Sequence, residues 1–360
     1  MKIIYLIDTL YKAGGMERIL TAKANALTER YGCEVLLVTN HQKGRPVFFP
    51  LSSGVRHIDL DVNYRLPLQM HRYVKRLSSL ILAERPDIVI STCGKELFQM
   101  HQLPRTGVVM AEFHFSHETY RIKGQRAKLR RMEKAVGKLD CFVALTQEDA
   151  AVWRPFCARV EQIYNPSFFA SDGRFARPAA QKRCLSAGRF EKQKNFEDLV
   201  RVWKRVHASH PDWTLDIFGN GRLKKRVAAL VEREGLGSCL RLHPATHELA
   251  REMLDSSLFL MSSVYEGFPL VMIEAASLGL PFIAYACPCG PAEFIRDGVD
   301  GYTVPVGDVD EMAARISACL DDPELLEEMG RNIRERAGSF GVDAIMDRWI
   351  GLFRDLITGR

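Results

Sequence analysis

The stretch LFLMSSVYEGFPLVMIEAASLGLPFIAY, residues 258–285, decides the fold. It opens on an apolar run at 258–261, turns through Gly267 and Pro269, and re-enters an apolar, helix-compatible segment. Pro269 suits a helix start, where its fixed φ is already helical and its missing N–H is not needed. A second apolar run at 281–285 makes the order strand, helix, strand, which is the unit of a parallel sheet. Two carboxylates lie inside it. Glu266 falls on the loop before the helix and Glu274 in its first two turns, both placed to face one cleft. Paired acceptors bind hydroxyls, such as those of a sugar and a ribose held end to end. Taken alone, the pair also reads as a solvated turn residue and a helix-surface charge.

The alternation runs the length of the chain. Strands are predicted at 3–7, 34–39, 88–91, 108–112 and 141–145, with a helix at 16–29 and another after Thr146, an N-cap followed by first-turn carboxylates. Residues 165–178 carry Pro, Gly and Asn without periodicity, so a linker at 167–180 separates a first domain, 1–166, from a second, 181–338. Strands then recur at 184–187, 214–218 and 240–242, and helices at 196–207, 223–234, 310–320 and 323–336. A last helix at 342–356 carries Ile345, Trp349, Leu352, Phe353 and Leu356 at helical spacing. The fold class is α/β.

A length of 360 residues, 47% apolar and 26% charged, fits two globular domains with sizeable cores. No run of eighteen apolar residues occurs, and the first eight residues are too short and too soon charged for a secretory signal. Nine cysteines, scattered and several in strand-like runs, read as buried free thiols of a reducing compartment. A cytoplasmic protein is expected, at most peripheral on the inner face of the cytoplasmic membrane. Cys287-Pro288-Cys289 has no second ligand pair at zinc spacing. The net charge of +6 is uneven: from Arg121 to Lys138 eight Lys or Arg stand against one Glu, Arg126, Lys128, Arg130 and Arg131 among them. A smaller cluster lies at His71, Arg72, Lys75 and Arg76. Such stretches suit an anionic membrane surface, a phosphate-bearing acceptor or nucleic acid, and equally a solvated helix face.

Gly188-Arg189-Phe-Glu-Lys-Gln-Lys194-Asn195 follows the strand at 184–187. Glycine at a strand end lets the backbone approach a ligand, and Arg189 and Lys194 can both reach oxygens of one diphosphate. Gly14-Gly15, between the first strand and helix, can aim backbone N–H groups at an anion, although tight turns need glycine regardless of ligand. Gly219-Asn220-Gly221 after the strand at 214–218 is similar.

In order and spacing, Gly14-Gly15-Met16-Glu17-Arg18, Gly188-Arg189 with Lys194, Gly219-Asn220-Gly221, the Glu266/Glu274 pair and Gly290-Pro291-Ala292-Glu293 resemble glycosyltransferase family 4. The resemblance covers nearly the whole chain and is most specific between Ser186 and Asp308. It implies the GT-B fold, two Rossmann-like domains facing each other across a donor cleft, with a C-terminal segment, 339–360, returning to the first. It also implies sugar transfer from a nucleotide donor with retention at the anomeric carbon. Arg189 and Lys194 then stabilise the leaving diphosphate, so no metal or other cofactor is expected. Glu266 and His114 meet the donor sugar, Glu274 binds both ribose hydroxyls, and backbone near Phe268, Leu270 and Val271 meets sugar or phosphate oxygens. Gly14, Gly15, Gly188, Gly219 and Gly221 line the donor.

The run Tyr285-Ala-Cys-Pro-Cys resembles members that use UDP-hexoses or UDP-N-acetylhexosamines, with Ala286 where an Asp is common. His243-Pro244 stands where the family usually shows glycine, which gives the base-facing loop a different shape. The partners implied are a UDP-sugar and a glycan or polyprenyl-diphosphate-linked acceptor of bacterial surface polysaccharide synthesis, met at an anionic membrane surface through Arg126, Lys128, Arg130 and Arg131. A GT-B epimerase or hydrolase of a UDP-sugar would share the cleft. A basic nucleic-acid-binding protein would use the 121–138 stretch but leave the Glu pair idle, and no known nucleic-acid motif supports it.

Overall fold

A computed structural model describes residues 1–64, 66, 69–167 and 174–359; residues 168–173 of the expected linker and Arg360 lie outside them. The chain divides into two compact units, Met1–Pro166 with Val342–Arg360, and Ser167–Gly341. In the first unit β1 (Lys2–Ile7), α1 (Gly15–Glu29), β2 (Glu34–Thr39), β3 (Arg56–Asp59), α2 (Gln69–Glu84) and β4 (Ile88–Ser91) are followed by β5 (Val108–Phe113), α3 (His117–Ile122), α4 (Arg126–Val136), β6 (Cys141–Ala144), α5 (Gln147–Trp153) and β7 (Val160–Gln162). The second unit begins with β8 (Arg183–Ala187), α6 (Phe196–Ser209), β9 (Thr214–Phe218), α7 (Lys224–Arg233), β10 (Leu240–His243), α8 (Leu249–Leu254) and β11 (Leu258–Met261). It continues with α9 (Leu270–Ser277), β12 (Phe282–Tyr285), α10 (Pro291–Phe294), β13 (Gly301–Val304), α11 (Val309–Asp321) and α12 (Pro323–Ala337), and α13 (Val342–Thr358) ends the chain.

Both sheets are parallel, in the orders β3-β2-β1-β4-β5-β6-β7 and β10-β9-β8-β11-β12-β13. The order reverses between β1 and β4 in one unit and between β8 and β11 in the other. At such a reversal the loops leaving the strand ends part to opposite sides, and ligands of doubly wound folds bind there. Sequence reading passed over β3, β7 and β13 because they are outermost strands of three or four residues. One-sided cover gives them mixed burial in place of an apolar run.

The alternation of strand side chains fills two layers in the first unit. Ile4, Leu6 and Leu36 pack with Tyr73, Leu77 and Trp153 on one face, while Ile3, Tyr5 and Leu20 pack with Ile345, Trp349 and Phe353 of α13 on the other. One polar contact lies in that second layer. Lys23, 1% exposed on the inner face of α1, is bonded to Glu112 near the end of β5, and its ammonium sits 3.6 Å from the ring centroid of Trp349. Burial alone would push the Glu112 carboxyl up, but Lys23 and His114 overcome it and hold the group down at about 2. Burial pushes Lys23 below the usual ammonium range, opposed by Glu112. In the second unit Trp203, Leu199 and Ile316 anchor one face, and a run of rings, Phe259, Phe282, Phe294 and Phe340, packs together outside that cluster.

Two loops of the second unit touch closely through backbone, beside an ion pair of Arg222 with Glu191 at 2.6 Å. Gly188 N–H donates to Phe218 O and Phe190 N–H to Asn220 O, each at 2.9 Å. Gly219 and Gly221 adopt φ of 154°, and a Cβ on them would lie 1.8 Å from Gly188 O and 2.5 Å from Phe190 O. These glycines are therefore required by the approach of one loop to another. At Gly14 the added Cβ would meet only the Glu17 carboxylate, the movable end of a side chain.

Two measurements test these packing arguments. Gly219→Ala should lower stability in denaturant unfolding by about 1–3 kcal/mol, against a few tenths for Gly14→Ala, because only the first forces backbone to move. The second is a pH profile. A Glu112 carboxyl near 2 when folded and near 4.5 when free adds stability above about pH 4.5 that is lost as pH falls toward 2. Thermal midpoints should drop through that window, and the double variant Lys23→Met/Glu112→Gln should flatten this part of the profile.

Candidate active site

The loop leaving β8, residues 188–195, is fastened on both sides at the point of strand reversal. On one side lies the 219–221 backbone just described. On the other, Val264 N–H donates to Gln193 O at 2.9 Å and the Ser262 hydroxyl to Lys194 O at 2.8 Å, tying it to the loop leaving β11. Asn195 ends the loop with φ of 47°, a left-handed conformation that Asn tolerates, and α6 begins at the next residue. This turn sends the Lys194 side chain back across the loop. Its stem lies over Gly188, where a Cβ would come within 2.8 Å of Lys194 Cε.

Lys194 Nζ donates to Glu266 Oε1 at 2.7 Å, and Gln193 Nε2 donates to Glu266 Oε2 at 3.1 Å and to Tyr265 O at 3.0 Å. Glu266 is 6% exposed. Its buried charge is thus met by an ammonium and an amide, as a carboxylate removed from water requires. Gly290, after β12, packs its backbone against the same side chain, since a Cβ there would lie 3.4 Å from Glu266 Cβ and 3.3 Å from Cys287 Sγ. Arg189 is exposed, close enough to Tyr265 for its charge to act on the phenol, whose ionisation burial pushes up.

Glu274 lies one helix further along, buried in the second turn of α9, behind a first turn made by Leu270 and Val271. The first-turn N–H groups of a helix have no carbonyl within the helix to meet, which leaves them to loops or ligands. Phe268 is buried against Phe294. The structure therefore brings Gly188, Lys194 and Glu266 into direct contact, sets Gly219 and Gly221 behind them as backbone support, and holds Glu274 on the adjoining helix. His243 is not a loose substitute for glycine. Its ring stacks on Phe218 at 4.5 Å and bonds Asp216, a buried carboxylate that also takes Arg183 and Arg241.

Gly14, Gly15 and His114 belong to the first unit. Gly14 is the residue before α1, and the Glu17 carboxylate folds back over it, so an anion approaching that helix start meets a negative group first. His114 follows β5, and its Nε2 lies 3.1 Å from Glu112 Oε1. Arg126, Lys128, Arg130 and Arg131 are exposed on α4; Lys128 lies over the Tyr120 ring and Arg131 over Phe98.

The chain has two Asp-X-Asp pairs, the spacing at which metal-dependent transferases hold an ion, Asp59-Leu60-Asp61 and Asp308-Val309-Asp310. Asp308-Val309-Asp310 is spent on structure: Asp308 caps α11 and Asp310 pairs with Arg205. Asp59 and Asp61 form with His41 the one group among the described residues whose ligand atoms converge, all within 4.8 Å of one another. Asp61 holds the His41 ring at 3.0 Å, and Asp59 accepts from the Thr39 hydroxyl and Gln42 N–H. Sequence reading missed Gln193 and Lys23. Gln193 sits inside the quoted loop, and a lysine on the apolar face of α1 is itself a signal of a buried partner.

Comparison with known proteins agrees with this arrangement. Residues 13–166 match the model of Glycosyltransferase Family 4, and residues 170–336 that of Glycosyl transferases group 1. The amylovoran biosynthesis glycosyltransferase AmsD of Erwinia amylovora is 27% identical, over 97% of this chain and 98% of its own. Sucrose-phosphate synthase from Thermosynechococcus elongatus superposes with a TM-score of 0.85 at 20% identity, over all of both chains. S. aureus TarM, in complex with fondaparinux, α-GlcNAc-glycerol and UDP, gives 0.81 at 15% identity, over 98% of this chain and 99% of its own. These likenesses carry the GT-B fold. With one family model on each parallel sheet, the chain belongs to glycosyltransferase family 4 and is a glycosyltransferase.

Proposed function

We propose that the chain transfers a hexose or N-acetylhexosamine, with retention, from a UDP-sugar to a glycan or lipid-linked acceptor in bacterial surface polysaccharide synthesis. The observation that carries this reading is the Lys194–Glu266 contact at the strand reversal, with Arg189 on the same loop. A cation next to a carboxylate suits the junction of a sugar diphosphate, where one side needs positive charge and the other accepts hydroxyls. The UDP in the TarM complex and the polysaccharide in the name of AmsD favour this donor and this product class.

The anomeric C–O bond to the diphosphate breaks, and its electron pair passes to the phosphate oxygen. Arg189 and Lys194 neutralise that charge, taking the part that a metal plays in other transferases. The acceptor oxygen attacks from the face the diphosphate leaves, and its proton goes to the departing phosphate. Glu266 and His114 orient the sugar, Glu274 holds the ribose, and the backbone at Leu270 and Val271 meets sugar or phosphate oxygens. Gly14 and Gly15 take the phosphate once Glu17 has moved aside.

No helix among the described residues is long and apolar enough to cross a membrane. Docking on an anionic face is assigned to α3 and α4. Beside a groove of about 630 Å³ edged by Arg121, Arg126 and Arg130 along with Glu118 and Glu133, Ile122 and Phe115 are 47% and 44% exposed. Burial first, and then the nearby cations Lys123 and Lys95, push Lys128 below its usual range. An acidic lipid surface or a lipid diphosphate suits these neighbouring cations.

UDP should raise the thermal midpoint more than GDP or ADP, and NMR of the product should show the donor's anomeric configuration; free sugar or an epimer formed equally well without acceptor would sink the reading. Arg189→Ala should lower kcat about a hundredfold with no change in midpoint, since the side chain is exposed. Neutralising Arg126, Lys128, Arg130 and Arg131 together should abolish sedimentation with anionic vesicles, each charge being worth about 1 kcal/mol at such a surface.

A further inference from the structure

The buried pair in the first unit ends on a histidine. Glu112 uses one carboxylate oxygen for Lys23 and the other for His114 Nε2, at 3.1 Å. All three side chains are at most 6% exposed. Lys23 has the Trp349 ring of α13 against it at 3.6 Å and the Tyr5 ring at 5.5 Å. His114 Nδ1 is buried and has no hydrogen-bond partner.

Each link fixes the next. A carboxylate deep in apolar surroundings stays charged only beside a cation, and Lys23, itself confined by aromatic faces, is that cation. Being charged, Glu112 only accepts, so the ring must present N–H to it, and the hydrogen resides on Nε2. In the neutral ring Nδ1 is then a lone pair turned away from Glu112, with no donor beside it in the protein.

We infer that Lys23 and Glu112 are positioning residues that lock His114 in its Nε2–H tautomer, so that Nδ1 is kept as the acceptor for a hydroxyl of the transferred sugar. Trp349 makes the returning helix part of the same device. The inference rests on the placement of His114 at the donor sugar proposed above. Nothing in the sequence spacing of 23, 112 and 114 announces it; the fold alone assembles the three.

The test reads the ring directly. In ¹⁵N-histidine protein at about pH 7.5 the two ring nitrogens of His114, assigned by loss of signal in His114→Gln, should show Nε2 protonated and Nδ1 bare. In Lys23→Met the stranded Glu112 carboxyl takes a proton and donates it to Nε2, so the hydrogen should move to Nδ1. Transfer kcat should then fall about tenfold or more, with KM for donor little changed, as when a catalytic ring is left in the wrong tautomer. The wild-type spectrum needs no variant to fold, and Lys23→Met/Glu112→Gln, without a buried charge, is the second form, expected to lose the single tautomer. A wild-type ring with its hydrogen on Nδ1, or a tautomer indifferent to Lys23→Met, overturns the inference. So does a shifted tautomer with kcat unchanged. Absent UDP binding in the wild type is a separate failure, that of the proposed donor.

Discussion

Glu266 is a carboxylate taken out of water, and the second unit is arranged so that it is never without a cation. The strand reversal between β8 and β11 opens a gap between two loops, and Lys194 spans it to reach Glu266. That reach needs a bare backbone at Gly188, a left-handed Asn195 to turn the chain, and two glycines in the neighbouring loop to hold Gly188 in place. Each of these residues looks like ordinary turn chemistry when read singly. Together they fix one ammonium against one carboxylate at the strand reversal.

The first unit solves a related problem differently. There the buried charge, Glu112, is matched by Lys23 under a tryptophan, and its other oxygen meets His114, just past the C-terminal end of the interior strand β5. Pairs of this kind add little stability against an apolar core of the same volume, but losing one partner is costly. Their presence in an otherwise apolar layer points to orientation, not strength, as what they contribute.

The central strands and long helices were legible in the sequence because burial on both faces leaves continuous apolar runs, as at 258–261 and 108–112. β3, β7 and β13 were not, since edge strands mix polar and apolar positions and carry no such run. The motif residues of the second unit were legible as a set, and Lys194 and Glu266 prove to be neighbours. What spacing could not reveal is that they bond each other, that Gln193 shares the carboxylate, or that Glu17 folds over Gly14. Those contacts depend on where side chains turn after the backbone is set. Lys23 is the instructive case: its place on the apolar stripe of α1 was visible, but its partner 89 residues away was not.

The last helix has a consequence for biosynthesis. Because α13 forms one wall of the N-terminal layer, Ile3, Tyr5 and Leu20 stay without their final cover until Ile345, Trp349 and Phe353 have been synthesised. The second unit, contiguous in the chain, can mature while the first still waits with an open apolar flank. The half that is made first is thus the half whose apolar layer is closed last.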